Sequence, residues 1–142
     1  MIIYIAVLIL LVICVLALSW FAGSDAPYVP TQISPITPIL KKAGLAPGMI
    51  FYELGSGDGR VVMEAAKLGA KSYGIEESWL RVWVSRYRAW REKINNTYFY
   101  HGNIFDRQYF PADVVYIFLL QKAVNQLESK LKKELNTGAK VI

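Results

Sequence analysis

One cysteine and one histidine stand in the 142 residues of this chain. The lone Cys14 excludes an internal disulfide framework and any cysteine-cluster metal site, and the lone His101 leaves no histidine pair for zinc. No metal is expected. Charge is almost missing from residues 1–40, where Asp25 is the only charged side chain. Residues 41–142 carry 16 Lys and Arg against 10 Asp and Glu, a net of +6, so the chain divides into two unlike parts. Beyond the first segment there is room for one compact domain of roughly 100 residues and no second one. The apolar and aromatic content of that part is enough to bury a core, which excludes disorder.

What is present begins with Ile2–Phe21, in which Ser19 is the only strongly polar side chain. A helix of that length covers about 30 Å, the thickness of a bilayer's hydrocarbon core, and predicts a transmembrane anchor over residues 1–22. A cleaved signal peptide fits less well, because no Lys or Arg precedes the run and Trp20 and Phe21 crowd its end. Trp20 and Tyr4 suit the two interfaces, and Cys14 an apolar position facing lipid or a partner helix. The cationic bias C-terminal to the run predicts a single-pass protein with its domain in the cytoplasm and membrane lipid as a contact. Residues 23–38 carry Pro27, Pro30, Pro35 and Pro38, which block helix and read as a linker or as an arm that packs on the domain.

Residues 39–142 alternate strand and helix. Apolar runs at 49–54, Lys71–Glu76, 97–100 and 114–120 read as strands, and 139–142 as the opening of a fifth. Apolar faces at helical spacing mark helices at 39–44, 60–68, 79–94 and 121–135. The pattern predicts a parallel, doubly wound Rossmann-like sheet with its ligand site at the carboxyl ends of the strands, near the switch point after the first. Stopping inside the fifth strand, the chain reads as truncated there, either a fragment or completed by another chain.

Glu53-Leu54-Gly55-Ser56-Gly57-Asp58-Gly59-Arg60 sits where a strand turns into a helix. Glycines there let the backbone turn sharply and approach a ligand, while the following helix presents unpaired N–H groups. The spacing G-x-G-x-G, with Arg60 where a dinucleotide fingerprint has its third glycine, excludes that fingerprint, and the lack of Gly-Lys-Ser/Thr excludes a P-loop. Glu53, two residues before the first glycine, repels a pyrophosphate and favours a ligand with a positive group. Glu76 closes the second strand and can accept hydrogen bonds from both ribose hydroxyls; Glu77 competes for the role, but Ile75 pointing into the core puts Glu76 on the opposite face and first at the strand end. At the end of the third strand Asn103 can hydrogen-bond an adenine edge, with Ile104 and Phe105 against the ring, or simply cap a turn.

This combination resembles the class I S-adenosylmethionine (SAM) methyltransferases: E-x-G-x-G-x-G, the second-strand acid, then Gly102-Asn103. Pro27-Tyr28-Val29-Pro30-Thr31, ELGSGDGRVVMEAAKLGAKSYGIE, SRYRAWREK, GNIFD and VVYIFLL are similar to a narrower family of small protein-lysine methyltransferases. It includes archaeal lysine methyltransferases and the membrane-anchored mitochondrial enzymes that methylate the adenine nucleotide translocase and the c-subunit of ATP synthase. The resemblance implies SAM as cofactor, a protein lysine as substrate, and an arm that brings Tyr28 and Thr31 over the cofactor pocket. It also implies further C-terminal strands.

Methyl transfer from a sulfonium to an amine is an in-line displacement, so the protein mainly aligns the reactants and excludes water. Oxygen acceptors around the amine would orient it; Tyr28 and Tyr116 are candidates, with Phe118 as a wall, although Tyr116 and Phe118 read equally as core. Trp79, Trp83, Tyr87 and Trp90 recur at helical spacing with Arg81, Arg86, Arg88 and Arg91 between them, which reads as core packing with a solvated arginine face or, more sharply, as a surface for anionic lipid. Nucleic acid is not expected: Asp113-Val114-Val115-Tyr116 lacks the prolines typical of base-modifying amino methyltransferases. The rival readings are a lipid or small-molecule methyltransferase and a non-catalytic SAM-binding remnant.

Overall fold

Short strands form where apolar residues alternate with side chains that meet a second layer, and helices where apolar residues recur every three or four positions. In the computed structural model, which describes residues 1–21 and 36–142 (without the side chains of 19–21), this gives α1 (Ile2–Phe21), α2 (Ile36–Lys42), β1 (Ile50–Leu54), α3 (Arg60–Lys67), β2 (Lys71–Glu76), α4 (Trp79–Arg91), β3 (Thr97–His101), β4 (Val114–Ile117), α5 (Gln121–Glu134) and β5 (Lys140–Val141). Tyr28 and Thr31 lie outside the described residues.

The five strands form one parallel sheet in the order β3-β2-β1-β4-β5. Chain order reverses beside β1, so the crevice between the carboxyl ends of β1 and β4 is the place where this architecture receives a ligand. On one face Phe51, Val114 and Tyr116 pack against Ile36 and Leu40 of α2 and Val61 and Ala65 of α3. On the other, Leu54, Ile75 and Val115 meet Leu127 and Leu131 of α5, together with Ile104, Tyr109 and Ala112 from the connection between β3 and β4. Phe99 seals α3 to α4 through Val62, Val82 and Ala89.

Three expectations need correction. Strand and helix do not alternate throughout: residues 102–113 join β3 to β4 through turns alone. Without a helix there, a tyrosine ladder lies along the sheet, Tyr52 to Tyr73 at 4.8 Å and Tyr73 to Tyr98 at 4.9 Å between ring centroids, with Tyr98 and Tyr100 exposed. β4 ends at Ile117 and not at Leu120, because its partner Leu54 is the last residue of β1 before the chain turns away at Gly55. The aromatic stripe of α4 does not form core. Trp79, Trp83, Tyr87 and Trp90 are more than half exposed, while Arg81, Val82, Ser85 and Ala89 are buried.

A fourth correction concerns the first segment. Among the described residues no helix is long and apolar enough to cross a membrane. The expectation of a single-pass membrane protein with a cytoplasmic domain is overturned on that finding.

Candidate functional site at the glycine loop

Between β1 and α3 the chain must reverse over a few residues while keeping its backbone close to the end of β2. The amides of Gly55 and Ser56 both donate to the Ile75 carbonyl, at 2.9 Å each, which folds the loop back onto β2. Gly59 then has φ +76°, and a β-carbon there would lie 2.5 Å from the Phe99 ring and 2.9 Å from Ser85 Cβ, so both backbone angle and space demand glycine. At Gly55 a β-carbon would meet Leu119 at 2.8 Å, which brings the segment after β4 directly over the loop.

Glu76 is buried at the end of β2. Its Oε2 accepts the Gly57 amide at 2.8 Å, and its Oε1 accepts the Ser78 amide at 2.8 Å. Arg81 adds Nε at 3.0 Å and Nη2 at 2.8 Å to the same Oε1, an ion pair in which both side chains are almost fully buried. Glu77, the competing acid, is exposed.

Glu53 is buried on the loop's other flank, where Oε2 accepts the Val62 amide at 3.2 Å, its one hydrogen bond among the described residues. Burial raises its pKa well above the usual carboxylate range; the Val62 bond pulls the other way, and the nearby charges of Asp58 and Glu76 raise it further. An ionised carboxylate has about four acceptor sites, so among the described residues most of its capacity is unfilled. A buried acid set among acids favours a ligand that brings positive charge and N–H donors. At Asp58, burial raises the pKa, but the Arg60 hydrogen bond and the charges of Arg60 and Arg88 outweigh it, and the net shift is downward.

α4 holds this loop through one row of residues. Arg81 pairs with Glu76, Ser85 Oγ lies 3.1 Å from the Gly57 carbonyl and 2.9 Å from that of Arg81, and Arg88 pairs with Asp58. Positions i, i+4 and i+7 share a helix face, and a serine within an arginine-rich helix was the available signal. Arg86 instead donates to the Phe99 carbonyl.

The remaining candidates separate. Asn103 Oδ1 accepts the Phe105 amide at 2.8 Å, the turn cap, and its NH2 group has no hydrogen bond among the described residues. Ile104 is buried in the core cluster with Tyr109, and Phe105 is half-buried. Tyr116 belongs to the core between β4, α2 and α3, and Phe118 is exposed. Among the described residues no cluster of His, Cys, Asp and Glu could hold a metal.

Residues 53–142 match the family model described as the ANTKMT methyltransferase domain. An ATP synthase c-subunit lysine N-methyltransferase of Xenopus laevis is 40% identical over 118 residues, 82% of this chain and 51% of that protein. A protein-lysine N-methyltransferase of Saccharolobus islandicus is 33% identical over 119 residues, 82% of this chain and 74% of that protein. The mouse adenine nucleotide translocase lysine N-methyltransferase is 33% identical over 121 residues, 83% of this chain and 52% of that protein. Among solved structures, an RNA methyltransferase of Salinibacter ruber in complex with S-adenosyl-L-homocysteine superposes with a TM-score of 0.77 at 31% identity, over 80% of this chain and 75% of that one. The chain spans about half the length of the ATP synthase methyltransferases it matches.

Proposed function

The chain belongs to the ANTKMT methyltransferase domain family, with its Rossmann-like class I α/β fold, and on that premise we propose that it is a SAM-dependent protein-lysine N-methyltransferase. The observation that carries the proposal is the pair of buried carboxylates, Glu53 and Glu76, set on either flank of a glycine loop at the carboxyl end of β1.

The residues fit the cofactor. Glu76 accepts from the ribose. Glu53, buried with unfilled acceptor sites, takes the ammonium of the methionine end, and the Asn103 amide donates to the adenine edge beside Phe105. Gly55 and Gly57 keep the loop bare of side chains where the methionine end lies. When bound, SAM supplies the sulfonium-held methyl group. Leu119 and Phe118, after β4, line the approach to it and exclude water. The substrate lysine must lose its proton from an ordinary pKa of about 10.4, and desolvation at this approach lowers that value. Tyr28 is the proposed oxygen acceptor for the amine and Thr31 a further cofactor contact, both from the arm. Tyr116, packed in the core, is not assigned that role.

The test is to incubate the full chain with methyl-labelled SAM and a mixture of protein, RNA and membrane lipid. Label recovered as methyl-lysine is the expected result. Label in RNA, which the Salinibacter relative's name makes a pointed alternative, or in lipid would replace the substrate class while leaving the cofactor reading standing.

Glu53 gives a pH-dependent prediction. Its folded-state pKa is raised, so the folded chain holds a proton that the unfolded chain releases, and stability falls as pH rises from about 4.5 through the raised value. Glu53→Gln cannot ionise. The difference in melting temperature, variant minus wild type, is expected to grow as pH rises above about 4.5 and to level off once Glu53 ionises in the fold, and SAM affinity of the variant to fall about tenfold where the wild-type carboxylate is ionised. A pH-independent difference would show that Glu53 does not titrate in the fold.

A further inference from the structure

Glu76 presents an asymmetric carboxylate. Oε1 already accepts the Ser78 amide at 2.8 Å, Arg81 Nε at 3.0 Å and Arg81 Nη2 at 2.8 Å, three donors on an atom with two lone pairs. Among the described residues Oε2 accepts only the Gly57 amide, at 2.8 Å, and keeps one acceptor direction. We propose that Arg81 is a positioning residue that claims one oxygen of Glu76 and so restricts the cofactor's ribose to a single hydrogen bond from Oε2, making affinity depend on one of the two ribose hydroxyls rather than on both.

The guanidinium does not leave the site easily. Arg81 is 2% exposed, and removing it from Glu76 would strand two buried charges. Its planar fork puts two donors on the same side of the carboxylate, which a lysine cannot do. The helix that carries it is fixed as well. Ser78 caps the N-terminus of α4 through the Arg81 amide at 3.5 Å, and Ser85, one turn on, sits against the Gly57 carbonyl. The Glu76 carboxylate, the Gly57 amide and the first turn of α4 are therefore tied together, with Oε2 the carboxylate oxygen that keeps an open acceptor direction among the described residues. An unencumbered carboxylate could meet both hydroxyls; the arrangement of Arg81 leaves this one half occupied.

The inference rests on the SAM reading, and calorimetry on the full chain separates the two. The probes are S-adenosylhomocysteine and its 2′-deoxy and 3′-deoxy analogues. Wild type is expected to lose about tenfold or more in affinity with one deoxy analogue and less than about threefold with the other. In Arg81→Gln, which frees Oε1, the two losses should converge. If that variant does not fold, Arg81→Lys, with one donor in place of two, should narrow the gap partway. Equal losses in the wild type overturn the inference while leaving SAM binding intact. An undiminished gap in a folded Arg81 variant removes Arg81 from it, and failure of the parent compound to bind folded wild type overturns both readings together.

Discussion

Glu76→Ala is expected to lower folding stability by about 3–5 kcal/mol and to remove measurable SAM binding. The stability loss comes from Arg81. Its guanidinium is buried with Glu76 as its carboxylate partner, and truncating one member of a buried pair leaves the other charge uncompensated in a medium that solvates it poorly. The loss of binding comes from the Oε2 acceptor and from the Gly57 amide, which would no longer be held against β2. Urea unfolding reads the first effect and calorimetry the second. The double substitution Glu76→Gln with Arg81→Met should recover most of the stability, since neither charge of the pair then remains buried, while SAM binding stays about tenfold or more weaker than wild type. If Glu76→Ala unfolds at the wild-type urea midpoint, the Glu76–Arg81 pair is not the buried ion pair described above.

Gly59→Ala is the second large effect. At φ +76° an L-residue carries about 1–2 kcal/mol of backbone strain, and a methyl group 2.5 Å from the Phe99 ring and 2.9 Å from Ser85 Cβ forces further displacement costing about 1–3 kcal/mol. The expected total is about 2–5 kcal/mol. Gly48→Ala supplies the comparison, because Gly48 has φ +84° with nothing within 4 Å of the added carbon, and it should lose only the backbone part. Equal losses in the two variants would mean that α4 does not press on the loop at Gly59.

The parallel sheet was legible because each strand is a short apolar run closed by turn residues, and the bounds of β2 at Lys71 and Glu76 follow from that pattern directly. The glycine loop was legible from spacing alone. What failed was the face of α4. Periodicity directs large apolar residues inward, yet here the inward positions are Ser85 and Ala89, whose small size lets the helix approach the loop, and Arg81, whose charge is neutralised by a residue on a different element. A pairing of that kind depends on tertiary contact and leaves no local signature. The turn-only connection from β3 to β4 was different, since residues 102–113 hold no run long enough for a helix and the expectation of strict alternation overrode that signal. Asn103 was open between ligand contact and turn cap, and its Oδ1 went to the Phe105 amide two residues on, a bond of short range that any Asn in such a turn can make.

The central claim is that the glycine loop and Glu76 form a SAM site, and calorimetric titration of the full chain with SAM tests it most directly. The account predicts one-site binding to wild type, a loss of about tenfold or more in Glu76→Gln, and unchanged affinity in Glu77→Gln, whose side chain is exposed. Absence of heat with a folded wild-type chain, or equal affinity in the Glu76 and Glu77 variants, would contradict it.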